Sequence, residues 1–388
     1  MQRQRATADL LRRWAVDAGF DRAGVASLER SRTGAMLRRW LARGEHAGME
    51  WIGRRIAVRE DPARLLPGAR SALCVALQYH PLDGEEEPAG DLWPRVARYA
   101  RGRDYHDVMG RRLRTLAARI RDAFPGCGTR PYVDTGPLLE RELAARAGLG
   151  AVAKNTHLLH RRGGSYFFLG ELLLTLDVEP GEPDEPAADL CGRCTRCLDA
   201  CPTGALPAPY RLDANRCISY WTIEHRGDLP PAAREMVGEW VFGCDVCQEV
   251  CPYNRGPEPG GEPLLRLPAA RRELDLAGLL ALDRDGWVER FQVSPMKRAK
   301  LDGLRRNAAV AMGNRRDPAY VPALGKALAG APAVVRRHAA WALGRIAAGG
   351  GGGEARRALL EARGAEPDAA VRREIEAALA ASATAPDA

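Results

Sequence analysis

No stretch of this 388-residue sequence approaches the eighteen or more consecutive apolar residues of a membrane span. The opening MQRQRATADLLRRWAVDAGF also lacks the apolar centre of a secretion signal, since arginines and Asp17 interrupt what reads as an amphipathic helix. A chain without membrane contact, working in the cytoplasm where thiols stay reduced, is therefore expected. Ten cysteines in a chain this long do not read as a disulfide scaffold, which belongs to far shorter secreted domains. In a reducing compartment clustered cysteines mean metal. Acidic residues are outnumbered 50 to 58, leaving a net charge of +8 and a pI near 9.1. That balance permits a nucleic-acid partner, although an arginine- and alanine-rich composition also follows from a GC-rich genome.

The length calls for two or three domains. Up to about residue 180, helical and strand-like patterns alternate. ATADLLRRWAVDAGF reads as a helix, SALCVALQYH as a buried strand, and HDVMGRRLRTLAARIRDAF as a long amphipathic helix. TRPYVDT follows as a short strand, GPLLERELAARAGLG as a helix and SYFFLGELLLTLDV as a strand or strand pair. This is an α/β or α+β domain. EPGEPDEPAADL (179–190) suits a linker, and RGPEPGGEP (255–263) closes a cysteine-rich segment. From about residue 300, LRRNAAVAMGN, VRRHAAWALGR and VRREIEAALAA repeat an arginine pair at 305, 336 and 372, each followed by small and apolar residues at helical spacing. Stacked helix pairs of the HEAT type carry this signature; a plain alanine-rich bundle is the alternative. AAGGGGGEA (347–355) reads as a flexible connection within the tail.

The chemistry is concentrated in CGRCTRCLDACP (191–202) and CDVCQEVCP (244–252). Cys191, Cys194, Cys197 and Cys201-Pro202 match the bacterial ferredoxin run, in which three thiolates surround one 4Fe-4S cubane and the fourth ligates a second cluster. The second run has Cys244, Cys247 and Cys251 but lacks its first ligand, and Cys217 is the unassigned cysteine close by. Exchange of the last ligands gives one cluster on Cys191, Cys194, Cys197 and Cys251 and another on Cys217, Cys244, Cys247 and Cys201. Structural zinc is the rival, but zinc does not require the three-plus-one run or its repetition. Cys74, in an apolar strand, and Cys127, in a Pro-Gly turn, read as a core residue and a loop thiol. Clusters move single electrons, and a carrier alone would not need the domain of some 180 residues in front of them, so an enzyme is expected.

RYARGRDYHDV, YVDTGPLLERELAARAGLGAVAKNTHLL, GSYFFLGELL, CPTGAL, RCISYWTIE and FGCDVCQEVCPYNR together resemble the epoxyqueuosine reductase family, cobalamin-dependent enzymes of queuosine tRNA modification. The resemblance covers nearly the whole chain, the helical tail included. It implies an α+β protein with a cobalamin-binding α/β catalytic domain (1–180), a ferredoxin-like module with two 4Fe-4S clusters (181–260) and a helical HEAT-like domain (261–388) that contributes to tRNA binding. It further implies cobalamin bound base-off, in a cob(II)alamin resting form, without a protein histidine on its lower face. The clusters would pass it electrons from an external donor, in a monomer, to reduce the epoxide of epoxyqueuosine to the alkene of queuosine at the wobble position. That is the last step of queuosine biosynthesis. The family's general acid carries over onto Asp134, and its corrin contacts onto Arg59, Ala97, Leu158 and Leu169, the last three through backbone atoms. Ser219 and Asp245 are further cofactor-binding candidates.

Opening an epoxide reductively leaves an alkoxide, so a proton must arrive where negative charge develops. Asp134 suits this role if a corrin-filled, poorly solvated pocket raises its pKa. Read from the residues alone, Asp-Thr-Gly-Pro is instead a helix N-cap with Pro137 in the first turn. Tyr105 and His106 are candidates for the same pocket, or else a partly buried aromatic and a helix-start histidine. Lys297, Arg298, Lys300, Arg305 and Arg306, against one acid at Asp302, are placed to grip phosphates of an anticodon stem-loop. A solvated helix face is the alternative. Arg226 is placed near the pocket mouth. Two rival functions are a reductive dehalogenase, which usually carries a twin-arginine export signal not seen here, and a ferredoxin-type carrier with a docking domain, which would hold no corrin.

Overall fold

The computed structural model describes residues 5–80, 90–179, 189–349 and 352–383. The sequence-predicted linker 179–190 and the glycine-rich connection 347–355 fall partly outside them, at 180–188 and 350–351. Two compact units emerge, each built from three separate segments: Met1–Glu85, Gly102–Asn215 and Asp245–Arg266 form one, and Glu86–Arg101, Arg216–Cys244 and Leu267–Ala388 the other.

The first unit is organised by a four-stranded sheet, ordered Arg22–Ser27, Ser71–Gln78, Phe167–Leu174, Thr129–Tyr132, with every neighbouring pair antiparallel. Of the two classes open to the sequence, this is α+β, because no strand of the sheet needs the crossover that parallel pairing demands. Ser71–Gln78 is buried at every position, as its unbroken apolar pattern requires. Its burial is two-sided: the long helix Tyr105–Ala123 covers one face, with Met109 and Leu113 against Gly170, and the short helix Glu140–Arg146 covers the other. On that second face Leu143 and Ala144 pack with Cys74, Ala76 and Leu173. Gly24 permits this packing, since a Cβ there would stand 2.0 Å from the carbonyl of Ala147. Helix Ala8–Asp17 is capped by Thr7, whose hydroxyl accepts the Leu10 N–H at 3.3 Å. SYFFLGELLLTLDV resolves into two strands of different sheets, Phe167–Leu174 in the four-stranded one and Asp177–Glu179, which pairs in parallel with Arg5–Thr7.

The second unit contains five consecutive helices, Lys300–Arg315, Val321–Gly330, Ala333–Ala347, Gly352–Ala365 and Ala369–Ala383. The three near-repeats fall on the first, third and fifth, which pack side by side. Their small residues set the spacing: a Cβ on Gly313 would meet Trp341 at 2.7 Å, and one on Gly344 would meet Ala378 at 2.6 Å. The residue after each arginine pair reaches to segment 216–244. Asn307 donates to the carbonyls of Thr222 and Val241, His338 Nε2 accepts the Leu229 N–H at 3.0 Å, and Glu374 pairs with Arg234 at 2.6 Å. The repeats thus serve as a cradle for the chain that carries Cys217 and Cys244.

Candidate active site and cluster module

Strand Thr129–Tyr132 runs into a loop at Asp134, which lies in the left-handed region (φ 49°). For a residue other than glycine this costs about 1 kcal/mol or more, so surrounding contacts must impose it. Gly136 lets the loop fold back over the Tyr132 ring, where a Cβ would come within 2.4 Å. The following helix starts only at Glu140, with Leu139 at its N-cap. Asp134 is therefore not the helix cap that Asp-Thr-Gly-Pro suggests, and GPLL belongs to the loop.

The Asp134 carboxylate is held from two sides. The Tyr105 hydroxyl donates to Oδ2, and His106 Nε2 lies 3.1 Å from Oδ1. His106 is itself fixed by Asp104, whose Oδ1 lies 2.6 Å from Nδ1 and also accepts the His106 backbone N–H at 3.1 Å. Asp104 thereby caps the long helix and orients its first histidine. Partial burial works to lower the His106 pKa, but hydrogen bonds and charge from Asp104 and Asp134 outweigh it and push it up to about 9. At neutral pH both ring nitrogens accordingly carry protons. Tyr105 is stacked between His106 and Phe168, with ring centroids 4.2 and 4.1 Å away. Asp134 nevertheless keeps 47% of its side-chain surface accessible, so the carboxylate is open to an approaching group.

Other residues that the resemblance assigns to the pocket lie in the same unit. Arg59 is pinned by bonds from Nε to the Ile52 carbonyl and from Nη1 to that of Leu138, both 3.2 Å. Leu158 is buried and Leu169 nearly so, both within the apolar cluster under helix Glu140–Arg146. Glu140 and His157 are half-buried, and Arg141 is exposed. Burial, helped by the positive charge of Arg141, depresses His157 to about 4, leaving it neutral. Burial and then the negative charge of Asp134 raise Glu140. Glu171, fully buried, is raised by burial and by Glu140. None of these last four residues is among those that the sequence patterns single out. The available signal was Glu171, an acid inside the apolar run FFLGELLL.

Six of the eight cysteines assigned to clusters lie in the first unit. The Cys197 thiol is raised by burial and by the charges of Cys191 and Cys251, and Cys251 by burial and by Cys191 and Cys194. These four, from two runs fifty residues apart, therefore share one neighbourhood, and the short helices Arg196–Asp199 and Val246–Glu249 pack together beneath them. The loop AKNTH buckles the two runs: Lys154 Nζ donates to the carbonyls of Gly192 and Cys194 at 2.7 and 2.9 Å, and Asn155 to that of Cys247 at 3.1 Å. His157 Nε2 stands 3.9 Å from Cys247 Sγ. Cys201 Sγ receives the Ala205 N–H at 3.3 Å and lies 3.6 Å from the Thr203 hydroxyl. Asp245 is buried beside Cys244 in sequence, and Gln248 N–H bonds its carbonyl. Cys74 and Cys127 are buried and lie apart in the sheet core and a turn.

In the second unit, Ala97 is buried with its N–H on the Phe242 carbonyl at 2.8 Å, and Gly243 (φ 70°) packs on it so tightly that a Cβ would approach to 2.6 Å. Ser219 precedes a single π turn, Tyr220–Glu224. Of the five basic residues assigned to phosphate binding, Arg306 must be removed. It is 1% exposed, and its guanidinium bonds the carbonyls of Trp221 and Gly227 and the Asn307 side chain. A side chain committed to interior carbonyls cannot reach a phosphate. Arg305 donates to the Leu280 carbonyl at 2.9 Å and Arg298 pairs with Glu224 at 2.8 Å, while Lys300 is exposed. Arg226 donates to the Arg298 carbonyl.

Comparison with known proteins adds three domain matches: a profile described as epoxyqueuosine reductase QueG, DUF1730, over residues 59–135; a 4Fe-4S double cluster binding domain over 190–254; and HEAT repeats over 297–380. Among curated relatives, an epoxyqueuosine reductase of Pseudomonas aeruginosa is 41% identical over 345 residues, covering 87% of this chain and 94% of its own. One from Xanthomonas campestris is 42% identical, covering 86% and 94%. A crystal structure of epoxyqueuosine reductase with an epoxyqueuosine-modified tRNA stem loop is similar at TM-score 0.86 and 32% identity, over 97% of this chain and 98% of that one. Another, from Bacillus subtilis with its catalytic loop swung out of the active site, is similar at TM-score 0.85 and 32% identity, over 96% and 98%.

Proposed function

The chain belongs to the epoxyqueuosine reductase family, and from that premise we propose that it reduces the epoxide of epoxyqueuosine in tRNA to the alkene of queuosine, with Asp134 delivering the proton. The observation that carries this reading is the accessible Asp134 carboxylate, held in strained backbone between Tyr105 and a protonated His106. When bound, cobalamin would supply the strongly reduced cobalt that takes electrons to the epoxide carbon, and the 4Fe-4S clusters would refill it one electron at a time. The chain's own residues do the rest. His106 Nε2–H, 3.1 Å from Oδ1, is placed to hand a proton to the Asp134 carboxylate, which presents it to the oxygen leaving carbon. Tyr105 fixes the other carboxylate oxygen, so the proton leaves along one direction.

The surroundings of Asp134 suit a corrin in their chemistry. Leu158 and Leu169 would meet a macrocycle through their backbone atoms with apolar packing behind them, while Arg59 and Arg141 are held by backbone carbonyls beside it. Arg59, Tyr105, His106, Asp134, Leu158 and Leu169 would line it from the first unit, with Ala97, Ser219 and Asp245 as further contacts. Six thiols of one unit also suit the clusters: Cys191, Cys194, Cys197 and Cys251 hold one, and Cys201 and Cys247 join Cys217 and Cys244 in the other. An external donor, a monomeric state and a cytoplasmic setting complete the proposal. No helix among the described residues is long and apolar enough to cross a membrane.

Asp134→Asn tests the central role. The variant is expected to keep corrin and both clusters by absorbance and to lose turnover by about a hundredfold or more, the usual weight of a positioned acid. Full activity in that variant would remove Asp134 from the reaction.

A further inference from the structure

Glu171 is the least expected residue of the sheet. It sits in Phe167–Leu174, the strand that pairs with two neighbours, and its register partners are Cys74 on one side and Tyr132 on the other. Paired positions share a face, and this is the face under helix Glu140–Arg146. The side chain has no accessible surface, and neither carboxyl oxygen meets an N–H or O–H donor among the described residues. Within hydrogen-bonding reach lies the Glu140 carboxyl, an acceptor like itself unless one of the two carries a proton. The other groups facing the pair are Asp134, Arg59 and Arg141 around Glu140, and the buried Cys74 thiol beside Glu171. Both arginines approach Glu140, yet burial still pushes it up to about 8, and no cation among the described residues faces Glu171. Holding a proton at neutral pH costs a carboxyl less than being buried as an unpaired ion.

Glu140 has a further task. It lies beside the Asp134 loop, where the backbone N–H of Asp134, the residue held in left-handed backbone, lowers its pKa while the Asp134 charge raises it. Resting on the reading of Asp134 as general acid, we propose that Glu171 is a positioning residue kept as a neutral acid, whose O–H donates to Glu140 and so fixes Glu140 against the Asp134 backbone. The chain of contacts runs from the sheet interior to the catalytic loop: Glu171 O–H to Glu140, Glu140 to the Asp134 N–H, Asp134 to Tyr105 and His106. Were Glu171 ionised, two carboxylates would face each other with a third at Asp134, and the loop would lose its inner support. In the Bacillus subtilis relative the catalytic loop is swung out, so such a loop has two positions to choose between.

The test uses two variants of the holoenzyme and a spectrum that needs no substrate. Glu171→Gln keeps shape, neutrality and a donor; Glu171→Met keeps shape and neutrality alone. Infrared absorption at neutral pH is expected to show a protonated-carboxyl carbonyl band, shifted in D2O, in the native protein and not in Glu171→Gln. Absence of that band in the native protein overturns the proposal whatever the enzyme's activity, and leaves the role of Asp134 untouched. In turnover, Glu171→Gln is expected to retain kcat within about twofold, and Glu171→Met to lose about tenfold in kcat with KM little changed, the weight of one hydrogen bond to a charged group. Equal kcat in the two variants, with clusters and corrin retained, would equally overturn it.

Discussion

At the scale of single residues, the site is a set of groups whose protons are assigned by their neighbours. His106 shows this in measurable form. Its pKa is raised above the ordinary histidine value near 6.5 to about 9 because two carboxylates accept from it. A group raised on folding contributes stability that is complete below its unfolded value and lost as pH climbs through its folded value. Native protein should therefore lose thermal stability between about pH 6.5 and pH 9, and His106→Gln should lose less across that window. Identical slopes in a melting series at spaced pH values would show that His106 is not charged in the fold. Asp134 is singled out in the sequence by the family resemblance, while its apparent local role, a helix cap, fails because GPLL remains a loop over the Tyr132 ring. Glu171 was visible as an acid among leucines, but its meaning depends on sheet register, which no local pattern supplies.

At the scale of elements, what repeats locally was legible and what depends on distant packing was not. The cysteine runs could be read because each cluster-binding turn is short and its ligand spacing fixed. Strand Arg22–Ser27 escaped notice because RAGVAS is mostly small residues, and its place at the sheet edge is decided by Gly24 admitting the carbonyl of Ala147. The basic helix start around Lys300 gives the plainest error. Five cations looked alike in sequence, but the helix turns Arg306 inward, where burial lowers its pKa to about 10 and backbone carbonyls hold it. Two outcomes separate these roles. Lys297→Glu with Lys300→Glu should weaken tRNA binding and flatten its salt dependence by about one unit of log–log slope for each phosphate no longer gripped. Arg306→Met should instead lower stability by about 2 kcal/mol or more, since interior carbonyls lose their donor. Unchanged tRNA affinity in the double lysine variant would reject this face as the binding surface.

For the whole molecule, the sequence divides by motif into a catalytic region, a cysteine module and a repeat tail, whereas compactness divides the chain into two units of three segments each. The division differs because Glu86–Arg101 and Arg216–Cys244 leave their sequence neighbours: Trp93 and Val96 enter the core of the repeat helices, and Asn307, His338 and Glu374 hold the segment before Cys244. Such long-range exchange has no local signature. Through it the HEAT-type repeats become part of the scaffold for the segment that carries Cys217 and Cys244. The proposed chemistry depends on what the cysteines and the surroundings of Asp134 hold. Iron, sulfide and corrin analysis of anaerobically purified protein supplied with cobalamin tests this most directly. About eight iron and eight sulfide per chain, with one corrin, is the predicted result; zinc in place of iron, or no corrin retained, would contradict it.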